Sequence, residues 1–165
     1  MNCYMKYSEE IAYSKLVDWC NKAERCHFDI VRKLQSWQAL PEFIEACTIR
    51  LKKSNLYDDA RYASAFAADK SSLQRWGAQK IRLHLKARRI EDEYIKEALS
   101  ELEIDTHRDN IRELLRYKWT SIRGKNEYER TSKLIQFLLR KGFPYDLIRE
   151  EMKAHKLWLE EFNHL

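Results

Sequence analysis

WGAQKIRLHLKARRIEDEYIKEAL, residues 76–99, carries a spacing of apolar residues that the chain uses three times. Within it Leu85 follows Ile81 by four residues and precedes Ile95 by ten. The same intervals recur around Leu34, with Ile30 and Ile44, and around Leu138, with Leu134 and Ile148. The second and third copies also agree five residues past the anchor leucine (Ile90, Phe143) and fourteen past it (Leu99, Met152). Anchors 51 and 53 residues apart, with helical periodicity inside each copy, predict stacked small helical units in place of one irregular globule. Stacks of this kind present long surfaces suited to an extended partner.

Working outward, each copy divides into three helices. Ser8 can cap a first helix through SEEIAYSKLVDWCNKAE, with acids in its first turn and Ile11, Leu16 and Trp19 on its apolar side. A second is predicted from about Phe28 to Trp37. Pro41 opens a third, because a proline fits a first turn where its missing N–H has no partner to lose. Phe43, Ile44, Cys47 and Leu51 form its stripe, and Lys52 to Asn55 ends it. In the second copy Asp58 or Asp59 can cap the helix carrying Tyr62 and Phe66, the polar run Asp69 to Ser72 loosens the pattern, and Trp76-Gly77 starts the anchor helix. Ile95, Leu99 and Leu102 line the next. The third copy begins near Asp105, breaks at Gly124-Lys125-Asn126, and has Gly142 as the terminator of its anchor helix. Gln38 and Arg89 occupy the equivalent places, so those two anchor helices are expected to end by another route. The expected fold is all-α: an elongated, curved array of three tandem three-helix repeats and nine helices, at about 8–53, 55–103 and 105–165.

Composition agrees with this. The 165 residues are 35% charged and 44% apolar with three Gly and two Pro, which suits helices with short connections. The net charge of +5 favours nucleic acid or an acidic protein surface, modestly, since 26 acids accompany 31 bases. Cys3, Cys20, Cys26 and Cys47 show no close-paired metal pattern, and MNCYMKYSEE does not resemble a secretory signal, so reduced thiols in the cytoplasm are expected. No apolar run approaches the ~20 residues of a membrane span.

Catalytic chemistry finds no foothold. Gly77, Gly124 and Gly142 are too far apart for a phosphate-cradling loop, and His27, His84, His107, His155 and His164 lack ligand spacing. Adjacent acids such as Asp58-Asp59 and Glu150-Glu151 diverge by ~100° on a helix, and read as caps or solvated side chains. The expectation is a non-enzyme with no metal and no cofactor.

Charge patterning is more informative. From Arg75 to Arg89 there is no acid, and Arg75, Lys80, Arg82, Lys86, Arg88 and Arg89 fall within that window. Arg75, Arg82, Lys86 and Arg89 form one wheel stripe; Ala78, Ile81 and Leu85 form another, roughly a quarter turn or more away. The anchor helix of the third copy repeats the feature with Arg130, Lys133, Arg140 and Lys141, acid-free over those residues. Both faces are candidates for polyanion contact, the alternative being plain solvated surface. Arg61 is a possible member, or an internal ion pair. Of the five tryptophans, Trp19 and Trp119 sit in apolar stripes, and Trp76, beside basic residues, is the one candidate for stacking on a base rather than packing.

The segments LYDDARYASAFAADK and WGAQKIRLHLKARRIEDEYIKEAL together resemble the signature of the RecX family of regulatory proteins, and KLIQFLLRKGFPYDLI is similar to that family's C-terminal segment. The first copy matches in outline only, Ala39-Leu40-Pro41 being atypical. The resemblance implies a right-handed helical array and a monomeric modulator, usually an inhibitor, of the RecA recombinase in recombination, DNA repair and the SOS response. Such proteins are thought to lie in the groove of the RecA–single-stranded-DNA filament, impeding strand exchange and ATP hydrolysis, either by occupying the groove or by capping filament ends. Duplex DNA is a further possible partner. Two other classes remain open from the residues: a helix-turn-helix transcription regulator, and a helical scaffold that binds protein alone.

Overall fold

The computed structural model describes residues 5–102 and 104–162, with side chains through 154. Cys3 and His164 lie outside the described residues, as do the side chains of His155 and Trp158. Nine α-helices and no strand occur among the described residues: α1 (Glu9–Lys22), α2 (His27–Ser36), α3 (Pro41–Lys53), α4 (Asp59–Ser72), α5 (Ala78–Ala87), α6 (Asp92–Ser100), α7 (Ile104–Ser121), α8 (Glu127–Lys141) and α9 (Tyr145–Phe162). They follow the sequence as three successive triplets, the all-α repeat array that the apolar spacing predicts. The run Asp69 to Ser72, expected to loosen the pattern, is the last turn of α4.

The anchors behave as their spacing requires. Leu34, Leu85 and Leu138 are fully buried, as are Ile30, Ile81 and Leu134 one turn earlier. Their chain contacts fall into two compact units. The first holds residues through Ala65 together with Leu85–Ala98; among its core are Leu16, Ile30, Leu34, Cys47 and Leu51. On α1 the buried side is Ala12, Leu16 and Cys20, while Ile11 is half exposed and Trp19 is only partly covered, so the stripe is rotated from the expected one. The second unit holds Phe66–His84 and the described residues from Leu99 onward, with Ile111, Leu115, Leu134, Leu138, Phe143, Ile148 and Met152 in its core.

One expectation is corrected at the helix ends. All three anchor helices stop by the same left-handed turn, with or without glycine. Gln38 has φ 60°, Arg89 φ 58° and Gly142 φ 93°. In each case the carbonyl of the anchor leucine accepts the N–H five residues on: Ala39 to Leu34 at 3.1 Å, Ile90 to Leu85 at 3.2 Å, Phe143 to Leu138 at 3.3 Å. The left-handed residue itself donates to the following carbonyl, Gln35, Lys86 or Leu139. These are the two bonds of a Schellman turn, whose apolar contact pairs the anchor with the residue five ahead. That contact is why Ile90 and Phe143 recur in the spacing. A side chain in this conformation costs of order 1 kcal/mol relative to glycine. Gln38→Gly is therefore expected to raise stability by about 0.5–1 kcal/mol, read as a higher urea midpoint; an unchanged or lower midpoint would show that the turn carries no such strain.

Caps tie the first unit together. Ser8 accepts the N–H of Ile11, and Asp58 accepts that of Arg61 at 2.8 Å at the start of α4. Cys26, the residue before α2, offers no side-chain cap; Asp59 supplies one from α4 by accepting the N–H of His27 at 2.8 Å. Cys20, Cys26 and Cys47 are buried free thiols, and burial pushes all three up, Cys26 to about 12. No helix among the described residues is long and apolar enough to cross a membrane.

Candidate functional site

The acid-free window of the second copy is only partly helical. α5 covers Ala78–Ala87, so Arg82 and Lys86 share a face one turn apart. Arg75 and Arg89 lie beyond its two ends, each in a left-handed conformation (φ 49° and 58°). The wheel stripe joining all four residues does not exist, because a left-handed residue resets the direction of the chain. Ile81 and Leu85 are buried as the apolar face predicts.

In the first unit, Lys86 pairs with Asp92 (Nζ to Oδ1, 3.1 Å), and the Nε of Arg88 lies 3.8 Å from Asp29 Oδ2. The guanidiniums of Arg89 and Arg32 both stand near the Phe28 ring, 5.8 and 5.7 Å from its centre. Arg61 takes the internal ion pair: its Nε donates to Glu24 at 2.7 Å and Nη1 to Asn55 Oδ1 at 3.0 Å.

The second unit gathers the remaining cations. Gly77 donates its N–H to the carbonyl of Lys141 at 2.8 Å, and Gln79 donates to that of Gly142 at 3.1 Å. The C-terminus of α8 thus abuts the N-terminus of α5, each satisfying the other's unpaired backbone groups. This joint brings Lys80, on α5, to Lys141, at the end of α8. Lys141 Nζ donates to Gln74 O at 3.0 Å. Its ammonium is held below the usual lysine range by burial first, then by the positive charges of Lys80, Arg75 and Lys118. Arg75 is balanced by Glu113 (Nε to Oε2, 2.6 Å). Arg82 has no ion-pair partner among the described residues.

Trp76 is packed. Its half-buried ring meets His84 at 4.6 Å and Phe66 at 6.3 Å between centres, and the Lys80 ammonium sits 4.2 Å from its centre. Trp119 is similarly covered by Arg130, whose guanidinium lies 4.3 Å from the ring centre and donates to the Trp119 carbonyl at 2.9 Å. Lys133 pairs with Glu129 at 2.7 Å, and that ammonium, followed by the N–H of Lys125, holds the Glu129 carboxyl below the usual range.

Arg140 opens instead onto a cleft of about 340 Å³ between α7 and α8 that Lys118, Arg123 and Lys133 also line. Lys118 and Arg123 were not among the expected site residues. Their signal was present: residues 114–126 hold Arg116, Lys118, Arg123 and Lys125 and no acid. Among the described residues no three His, Cys, Asp or Glu side chains converge as metal ligands.

Two family models match the chain: RecX second three-helix domain over residues 58–99, and RecX third three-helix domain over 106–152. The chain is similar to the regulatory protein RecX of Limosilactobacillus reuteri (strain DSM 20016), 28% identical over 144 residues that make up 86% of this chain and 54% of that protein. It is 34% identical over 105 residues to the regulatory protein RecX of Clostridium botulinum (strain Eklund 17B / Type B), covering 62% of this chain and 49% of the relative. The chain spans about half the length of these curated relatives. A crystal structure of regulatory protein RecX superposes with a TM-score of 0.80 at 26% identity, over 88% of this chain and 73% of that one. RecX from Lactobacillus salivarius shares the fold, with a TM-score of 0.73 at 21% identity over 90% and 97%.

Proposed function

The chain belongs to the RecX family of regulatory proteins, and from that premise we propose that it binds the RecA filament on single-stranded DNA and inhibits RecA without catalysing a reaction itself. The proposed setting is the cytoplasm, and the proposed agent a monomer. The observation that carries the reading is the joint of α8 with α5, whose backbone bonds from Gly77 to Lys141 and from Gln79 to Gly142 gather Lys80 and Lys141 in the second unit, with Arg75 and Lys118 near enough for their charges to act on Lys141. Cations kept together in this way repel one another, and Glu113 balances only Arg75. A polyanion relieves that repulsion; RecA-bound DNA is one, and an acidic stretch of the filament surface is another.

Arg82 is the most available cation on α5, whereas Lys86 already has Asp92. Arg82→Glu is expected to raise the concentration needed for half-inhibition of RecA ATPase on single-stranded DNA by about tenfold, and Lys86→Glu by less, because a reversed charge adds repulsion to the lost attraction. Inhibition unchanged in the Arg82→Glu, Lys86→Glu double variant would remove α5 from the mechanism.

A further inference from the structure

The cleft between α7 and α8 is lined by bases without an acid. Lys118, Arg123, Lys133 and Arg140 line it together with Ile122, Phe137 and two uncharged polar side chains, and no carboxylate does. Lys133 is balanced by Glu129 from the same helix, and its Nζ also donates to the Arg123 carbonyl at 2.9 Å, fixing the mouth of the cleft. Lys118, Arg123 and Arg140 have no ion-pair partner among the described residues. The Phe137 ring holds the Lys118 ammonium 5.3 Å from its centre on one hand and that of Lys141 at 5.9 Å on the other. Three uncompensated cations thus stand beside a short apolar wall, in a cavity at the small end of the ligand-sized range.

We infer that this cleft is a binding site for one nucleotide of a single strand, with Arg123, Arg140 and Lys118 on the phosphate and the Ile122–Phe137 wall against the sugar or base. Guanidinium groups match phosphate oxygens in pairs, and an apolar wall is of use only to a base that is not stacked inside a duplex. An acidic protein surface would meet the charges and leave the wall unused. The inference rests on the nucleic-acid side of the regulator reading and gives the chain its own grip on the strand, independent of RecA.

The test is fluorescence anisotropy of a labelled oligothymidylate titrated with the full chain, without RecA, across a salt series. Arg123→Gln combined with Arg140→Gln is expected to weaken binding at least tenfold and to make the log–log salt slope shallower by about 1.4, two contacts at roughly 0.7 each on a single strand. Phe137→Leu keeps an apolar filler in the core; it is expected to weaken binding about fivefold and leave the slope as it was. Unchanged affinity in both variants, or tighter binding of duplex than of single strand by the wild type, overturns the inference. RecA ATPase run in parallel separates the two readings. A chain that grips oligothymidylate through Arg123 and Arg140 but leaves RecA unaffected overturns the regulator reading alone. Inhibition of RecA with a cleft indifferent to these substitutions overturns the cleft alone.

Discussion

Replacing Gly77 with alanine is expected to remove about 3–5 kcal/mol of folding stability. The position has no room: a Cβ there would collide with the carbonyl carbon and oxygen of Gly142 and with the nitrogen of Phe143. All three are backbone atoms, so no rotamer change relieves the clash. Backing α5 away from α8 instead breaks the bonds from Gly77 to Lys141 and from Gln79 to Gly142, leaving buried groups unpaired at both helix ends. Gly142→Ala meets the same joint from the other side, where its Cβ would collide with the nitrogen and Cβ of Lys80, and it adds the cost of a side chain at φ 93°. Against a total stability of about 5–15 kcal/mol for a domain, either change takes a large share. The measurement is the urea or thermal midpoint, with Gly124→Ala as comparison, since its Cβ would meet the movable Arg130 side chain as well as backbone. A Gly77→Ala midpoint within the error of wild type would mean that the α8–α5 joint yields to an added methyl group without loss. The same joint sets Lys80 beside Lys141, so loosening it is expected to disperse the cations on which the regulatory reading depends.

How much of this was legible in the sequence divides along the range of the interaction. The anchors were legible because burial follows a local period: Leu34, Leu85 and Leu138, with their partners one turn earlier, are buried for the reason that their spacing announced. The terminators at Gln38 and Arg89 were not, because the Schellman turn is imposed by the bonds to Leu34 and Leu85 and by the apolar residue that follows; glycine eases it without being required. Left-handed residues at Arg75 and Arg89 likewise explain why, of the four-residue basic stripe that was expected, only Arg82 and Lys86 share a face of α5. Partners distant in sequence were invisible altogether. Nothing near Arg61 identifies Glu24, 37 residues back, and nothing near Gly77 identifies Gly142. Lys118 and Arg123 fall between: their acid-free window could be read, but it runs past Trp119 on an apolar stripe and up to the break at Gly124, and only the packing of α7 on α8 turns it into a cleft.

Glu151 is the clearest case of a side chain whose role comes from distant partners, and its removal is the second large effect expected. As half of an adjacent acidic pair on a helix it read as solvated or capping; it is neither. Its side chain is 2% exposed, in the interior of α9, whereas that of Glu150 is 59% exposed. Glu151 Oε1 accepts Arg108 Nη1 at 2.6 Å, and Oε2 accepts Arg112 Nε at 2.7 Å, so one carboxylate bridges two arginines a turn apart on α7. Both guanidiniums are held more firmly protonated than usual, by the Glu151 hydrogen bond first. Glu151→Ala leaves two like charges facing each other over an emptied, partly buried site, and is expected to cost about 2–3 kcal/mol; the guanidiniums reach solvent, which keeps the loss below that of a fully enclosed pair. Glu151→Gln retains the volume and one acceptor oxygen, so it is expected to fall between alanine and wild type. Glu150→Ala, its exposed neighbour, is expected within about 0.5 kcal/mol of wild type, as surface pairs contribute little. The ordering is the diagnostic result, read from urea midpoints at neutral pH. Equal losses at 150 and 151 would show that the α7–α9 contact is held by its leucines and isoleucines alone, and that the bridge adds nothing. If the bridge does hold, Arg108 and Arg112 are committed to ion pairs inside the second unit, which leaves Lys118, Arg123 and Arg140, together with Arg82, among the cations of that unit still without a carboxylate partner among the described residues.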